Sequence, residues 1–325
     1  MGVNNLTSTG RFNSNSKIRV ACVGDSITYG DGTQTFVSLK REVKGRNHRE
    51  RGSYPKVLKT MLAEAQPGTF EVGMFAVGGT TALQPNHLSA ERHACRKDSR
   101  EAEACSFTLT RAFENALAFR PQAVLLLLGT NDAKDLEDVL TQHLQEDVSS
   151  LIKTFRRAMP LGYKRNIWLL LPPRVWDSNT HIKPVILEDV IRPILQGAAE
   201  VERVPTIDLR APFDEDPAKF IGSQYGPHHT RRHLPRGDGI HPTRAGSALI
   251  AETVLPHLLQ SFPPRPPTAF EVKRAEANRR LRGLNQPGSR VISVRRAVRG
   301  ARMMPNANRF GNGTNQFMDG DIDDV

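Results

Sequence analysis

Val20-Ala21-Cys22-Val23-Gly24-Asp25-Ser26-Ile27-Thr28-Tyr29-Gly30 holds the key to the chain. The apolar run from Ile18 to Val23 reads as a buried strand, and it stops abruptly at Gly-Asp-Ser, where the chain turns. A serine just past the C-terminal end of such a strand stands where open parallel sheets bind their ligands. If a helix starts there, its N-terminal N–H groups also face any anion that forms. Gly, Asp and Ser are equally at home in a plain turn. The reading of Ser26 as a nucleophile therefore depends on what the rest of the chain supplies.

The rest of the chain alternates strand-like and helix-like segments. Ser53-Tyr54-Pro55 opens a helix, with serine as N-cap and proline in the first turn, and Val57, Leu58, Met61 and Leu62 give it an apolar face. Phe70 to Val77 reads as a second strand running into Gly78-Gly79-Thr80-Thr81, where paired glycines suit a backbone that side chains would obstruct. A helix is expected over Phe107 to Phe119. Ala123 to Leu128 is a continuous apolar run, typical of a central strand covered on both faces, and it ends in Gly129-Thr130-Asn131-Asp132. Leu140, Leu144, Val148, Leu151, Ile152 and Phe155 then fall on one helical stripe. Asn166 to Leu171 and Val204 to Leu209 complete five strands, separated by a helical segment bearing Val185, Ile186, Val190, Ile191, Ile194 and Leu195. After Asp238-Gly239-Ile240-His241-Pro242, Thr243 is placed to cap a last helix reaching about His257. Parallel strands need helical crossovers, so the expected architecture is α/β, three-layered, with a five-stranded, mostly parallel sheet.

Composition sets the outer limits. A chain of 325 residues with 38% hydrophobic residues can bury one large core, and no segment is apolar enough to span a bilayer. Residues 1–16 read as a flexible N-terminus without the apolar core of a secretory signal, which favours an intracellular protein. Leu6 stands where N-myristoylation would need Ser or Thr. Residues 17–262 form the expected domain, and 263–325 a Pro- and Arg-rich tail that is largely disordered. The net charge is +11; from Pro263 onward twelve Lys and Arg stand against six Asp and Glu, so +6 of it belongs to the tail. That basic tail suits an acidic partner, and Arg274 to Arg282 suits a short basic helix within it. Asn5 and Asn312 open Asn-x-Thr sequons that would matter only on export.

Three cysteines are too few for a disulfide framework. Cys22 is expected to pack as a small hydrophobe inside the first strand. Cys95 and Cys105 could pair in an oxidising compartment, but without an export signal free thiols are expected. The loop from Gln84 to Ser106 also carries His87 and His93, and a later loop carries His228, His229 and His233. Neither spacing matches a zinc pattern, so both read as solvated loops, and no metal or other cofactor is expected.

Four separated points then share one chemistry. Serine is a weak nucleophile and needs a neighbouring base, which histidine supplies. That histidine needs a carboxylate on its other nitrogen, and Asp238-x-x-His241 presents both from one short loop. A tetrahedral intermediate needs donors, available from the backbone N–H of Ser26, the backbone N–H of Gly79 and the side-chain amide of Asn131.

Gly24-Asp25-Ser26, Gly79, Gly129-Thr130-Asn131-Asp132 and Asp238-x-x-His241-Pro242, in that order, resemble the four blocks of the SGNH (GDSL-type) hydrolases. The resemblance spans about residues 17–260. It implies a flavodoxin-like fold, Ser26 as nucleophile, His241 as base, Asp238 as its orienter, and Ser26, Gly79 and Asn131 as the oxyanion hole. Met74 stands near the place where the second block often has Asn. Gly-Asp-Ser-Ile-Thr, Ser-Tyr-Pro and Val-Gly-Gly-Thr-Thr look most like the carbohydrate (sialate-type) O-acetylesterase branch. The implied reaction is hydrolysis of an acetyl or other short-chain oxygen ester on a small molecule or glycan, through an acyl-serine. The polar insertions at Lys40–Arg51, Gln84–Ser106 and Gly222–Arg236 offer no apolar lid for a long acyl chain, and as a basic rim they would favour anionic sugars. The alternatives are a lysophospholipase or thioesterase on the same residues, or a non-catalytic scaffold whose tail binds a partner.

Overall fold

The computed structural model describes residues 17–31, 33, 52–88, 105–176, 182–222, 237–264, 273–274 and 276–278. Backbone contacts divide the chain into two units, Met1–Arg265 and Pro266–Val325. In the second, residues 273–274 and 276–278 are helical, overlapping the stretch expected to form a basic helix; the remainder of the expected tail lies outside the described residues.

In the first unit β1 (Ile18–Gly24), β2 (Phe70–Ala76), β3 (Ala123–Leu127), β4 (Ile167–Leu171) and β5 (Thr206–Asp208) form one sheet in the order β2-β1-β3-β4-β5. Every neighbouring pair is parallel. This is the flavodoxin-like doubly wound order, in which the chain reverses its winding direction between β1 and β3. The crevice at the C-terminal ends of those two strands is the ligand-binding place of such sheets.

Side chains of the central strands alternate between two buried layers, which is why the strands read as unbroken apolar runs. Val20 and Cys22 of β1, Leu125 and Leu127 of β3 and Leu170 of β4 pack against two helices. These are α2 (Tyr54–Ala65), which follows the four-residue α1 (Ser26–Tyr29), and the C-terminal Arg244–Ser261 helix. Ala21, Val23, Val124, Leu126 and Leu169 face the other way. They meet α3 (Arg111–Ala118), α4 (Gln145–Ala158) and α5 (Arg192–Glu202); the C-terminal helix is α6. Each fully buried aliphatic side chain contributes about 1.5–3 kcal/mol.

The expected stripe Leu140 to Phe155 is entirely buried, and its helix is longer than the stripe. A helical turn at Glu137–Val139 and a wide π turn at Leu140–Leu144 lead into α4. A similar pair, Pro184–Ile186 and Leu187–Ile191, leads into α5. There Leu187 takes the core position and Val185 is 66% exposed. The last strand is shorter than its apolar letters suggest because Val204 still bonds back to Ala199 O and Pro205 has no N–H to give. Thr243 caps α6 as expected, its hydroxyl accepting the Gly246 N–H, and the helix continues past Pro256 to Ser261.

Cys22 is buried and free, and burial pushes its thiol well above the ordinary range. Cys105 corrects the expectation of free thiols: it is disulfide-bonded. The expectation came from compartment, which says nothing about whether the backbone brings two sulfurs together. Cys95 lies outside the described residues. Among the described residues, no helix is long and apolar enough to cross a membrane.

Candidate active site

Three strand ends meet in the crevice. Gly24 pairs with Ala76 on one side and Leu127 on the other, so the turns after β1, β2 and β3 leave the sheet at one level. Asp25 caps α1 by accepting the Ile27 N–H at 2.9 Å, which places Ser26 at the start of the helix, where backbone N–H groups have no partner within the helix. Gly79 takes φ 80°, a left-handed conformation that a side chain would strain. This is the reason for a glycine there. Asn131 opens a short 3-10 turn after β3, and its side-chain amide donates to Thr80 O at 3.1 Å. Asn131 is therefore tied to the turn that carries Gly79.

The loop before α6 closes the site from the far end of the chain. The imidazole Nε2 of His241 lies 2.8 Å from Ser26 Oγ, and its Nδ1 lies 2.5 Å from Asp238 Oδ2. The other oxygen of Asp238 accepts the backbone N–H groups of Ile240 and His241 at 2.9 and 2.8 Å. A chain that folds back this tightly needs the left-handed Gly239, at φ 81°. Its carbonyl accepts the Trp176 N–H at 2.7 Å and so anchors the loop to the segment after β4. All five residues singled out from the sequence, Ser26, Gly79, Asn131, Asp238 and His241, stand in this crevice or on its rim.

Asp238 and His241 shift each other's charge state. Burial alone would raise Asp238, but its hydrogen bond to His241 and the charge there bring it down to about 2. Burial would lower His241, yet the hydrogen bond and charge of Asp238 outweigh it, with smaller help from Asp31 and Asp25, and the net shift is upward. At neutral pH Asp238 is thus an anion that fixes the ring and stabilises its protonated form.

Three acidic residues have roles that the letters did not disclose. Asp132 is fully buried, and its oxygens accept the Ala82 N–H at 3.1 and 3.0 Å and the Leu83 N–H at 3.0 Å. It pins the loop that follows Gly79. Asp25 is also fully buried and stands 3.4 Å from the amide of Asn131. Asp31 donates its backbone N–H to Ser26 O, and its carboxylate adds to the negative field at His241. The available signal was position alone: each flanks a motif residue or ends its turn.

The loop histidines divide. His87 Nδ1 is 2.7 Å from Asp147 Oδ2, and its ring stacks on His143 with centroids 3.9 Å apart. It is a half-buried structural contact instead of a solvated side chain, because Asp147 of α4 reaches it. Among the described residues no group of three or more metal-ligating side chains is assembled. His93, His228, His229 and His233 lie outside the described residues, as does most of the three basic insertions. Met74, at the atypical second-block place, lies in β2 opposite Cys22 and is half-buried.

The same span of chain matches the GDSL-like lipase/acylhydrolase family over residues 22–249. The chain belongs to that family. An acetylxylan esterase from Xylanibacter ruminicola is 26% identical over 253 residues, which is 73% of this chain and 42% of that protein. The chain thus spans about two fifths of the length of this relative. Among solved structures, a lipase/acylhydrolase from Enterococcus faecalis covers 77% of this chain and 99% of its own, at 17% identity and a TM-score of 0.49. An acetylxylan esterase from Geobacillus stearothermophilus covers 77% and 96%, at 17% identity and a TM-score of 0.45. In this family member the four motif blocks hold the ends of β1, β2 and β3 and the loop before α6.

Proposed function

We propose that this protein is a serine esterase that removes a short acyl group, acetyl in particular, from a carbohydrate oxygen ester. The observation that carries the reading is the 2.8 Å approach of His241 Nε2 to Ser26 Oγ, with Asp238 on the opposite ring nitrogen. Ser26 Oγ attacks the ester carbonyl while His241 takes its proton. The C–O bond to the sugar then breaks, and His241 returns the proton to the departing oxygen. A water repeats the sequence on the acyl-serine and releases the acid. The intermediate's oxyanion is held by the N–H groups of Ser26 and Gly79 and the amide of Asn131, each donor contributing about 10²–10³ in turnover.

Membership of an acylhydrolase family supports the reaction class, and the acetylxylan esterase relative supports the acetyl and carbohydrate parts. The absence of an apolar segment among the three insertions supports a short acyl chain. The test is hydrolysis of aryl acetates and acetylated xylo-oligosaccharides by the wild type beside Ser26→Ala, with folding checked by circular dichroism. Loss of about 10³-fold or more in the variant is expected. Retained activity would remove Ser26 from the reaction. A series of acyl lengths separates the readings of the substrate: rates that climb toward long chains would make it a lysophospholipase or thioesterase instead. Unchanged rates for neutral and acidic sugars at low and high salt would remove the expected preference for anionic substrates.

A further inference from the structure

Asp25 has a second neighbour beyond the helix it caps. Its Oδ1 accepts the Ile27 N–H at 2.9 Å, and its Oδ2 stands 3.4 Å from Asn131 Nδ2. The two hydrogens of that amide therefore have two acceptors inside the protein, Thr80 O at 3.1 Å and Asp25 Oδ2. The bond to Thr80 fixes the side chain. The longer one concerns the hydrogen that an oxyanion would have to take. An ionised carboxylate is a far stronger acceptor than a neutral carboxyl oxygen, so the charge on Asp25 decides how firmly that hydrogen is held.

We propose that Asp25 is a positioning residue for the oxyanion donor: neutral, it leaves the Asn131 amide hydrogen to the substrate, and ionised, it claims that hydrogen for itself. This rests on the assignment of Asn131 to the oxyanion hole. Asp25 acts on the oxyanion through Asn131, apart from the charge coupling it shares with His241.

The surroundings make both charge states accessible. Asp25 is wholly buried, and burial, the largest influence, pushes its carboxyl up to about 7, opposed by the Ile27 N–H. Three further groups face it. The positive charge of His241, from the loop before α6, draws it down, and the carboxylate of Asp132, after β3, pushes it up. Tyr54 of α2 faces it as a neutral phenol, its own ionisation pushed far upward by burial. Asp25 and His241 sense each other's charge, so the two limbs of a pH profile belong to the pair.

The experiment is the pH dependence of kcat and kcat/KM for aryl acetate hydrolysis over about pH 5 to 9.5, with circular dichroism at each pH. Wild type, Asp25→Asn and Asn131→Ala are compared. The wild type is expected to gain activity as His241 loses its proton and to lose about tenfold or more above neutrality as Asp25 ionises. Asp25→Asn keeps an oxygen to cap α1 and has no charge to gain, so its alkaline limb is expected to be flat. Asn131→Ala is expected to be slower by about 10²–10³ and equally flat on the alkaline side, because no amide remains to be withdrawn. A wild type with no alkaline loss overturns the proposal, and so does a loss that survives in folded Asp25→Asn. Should Asp25→Asn not fold, the Asn131→Ala profile decides: an alkaline loss that persists there overturns the route through the amide. Activity that survives Ser26→Ala would sink the esterase assignment itself, an outcome separate from any of these.

Discussion

The carboxylate of Asp132, one residue past the candidate oxyanion amide of Asn131, accepts the backbone N–H groups of Ala82 and Leu83. Two turns that leave different strands are thereby locked together behind the candidate active crevice. Asp132 belongs to the loop after β3, whereas Ala82 and Leu83 follow the Gly79 turn after β2. An unmatched buried N–H costs about 1–3 kcal/mol. Asp132→Ala is expected to lower the melting temperature by several degrees. It is also expected to reduce kcat more than KM changes, since Gly79 loses its support. Calorimetry and steady-state kinetics check both; unchanged kcat in a folded variant would detach Asp132 from the donor turn.

The Asp238–His241 pair is expected to set the acid side of the pH profile. Its histidine is shifted upward, so kcat/KM is expected to fall as pH drops through a value above the usual imidazole range of about 6.5. Asp238→Asn removes the largest upward influence. It is expected to move that limb to lower pH and to cut kcat by about 10³–10⁴. Kinetics across the pH range reads both changes.

The same pair gives a signed stability prediction. Asp238 titrates at about 2 in the fold, below its unfolded value near 4, so its stabilisation is present above about pH 4 and disappears as pH falls toward about 2. His241 is shifted the other way, so its stabilisation is present below about pH 6.5 and disappears as pH rises through its folded value. In urea unfolding followed against pH, Asp238→Ala is expected to flatten the acid slope relative to the wild type.

Thr243 holds the start of α6 just past His241. Its hydroxyl accepts the Gly246 N–H and donates to Lys219 O at 2.7 Å. Thr243→Ala is expected to cost about 1 kcal/mol, read as an earlier urea midpoint. Thr243→Ser keeps both bonds and is expected to restore most of the loss.

Cys105 offers a test of a different kind. Its carbonyl accepts the Thr81 N–H at 2.9 Å, two residues past Gly79. Because it is disulfide-bonded and Cys22 is buried, unreduced folded protein is expected to resist alkylation at both positions in peptide mass mapping. Reduction, or Cys105→Ser, is expected to destabilise the protein by about 2–4 kcal/mol.

The strands, the helix stripes and the Thr243 cap were legible in the letters because each is a local property. Burial on both faces demands unbroken apolar runs such as Ala123 to Leu127, and the unpaired N–H groups at the start of α6 favour a capping oxygen such as that of Thr243. The motif residues could be picked out as candidates as well, since a turn at a strand end restricts which side chains fit at Gly24–Ser26, Gly79 and Gly129–Asp132. The π turn at Leu140–Leu144 was not, because one extra residue in a turn leaves the apolar spacing almost unchanged. His87 read as a solvated loop residue because its partner, Asp147, comes from a helix sixty residues away.

By itself, then, the sequence determined an α/β fold around a mostly parallel sheet, and it singled out Ser26, Gly79, Asn131, Asp238 and His241 as candidates. Only the tertiary structure decided that Ser26 and His241, 215 residues apart, come within 2.8 Å. It also decided that Asp25 and Asp132 stand behind the donors instead of facing solvent. The reason is one of range. Periodicity reports which face of an element is buried, but contacts between elements follow from strand order and register, which no single segment encodes.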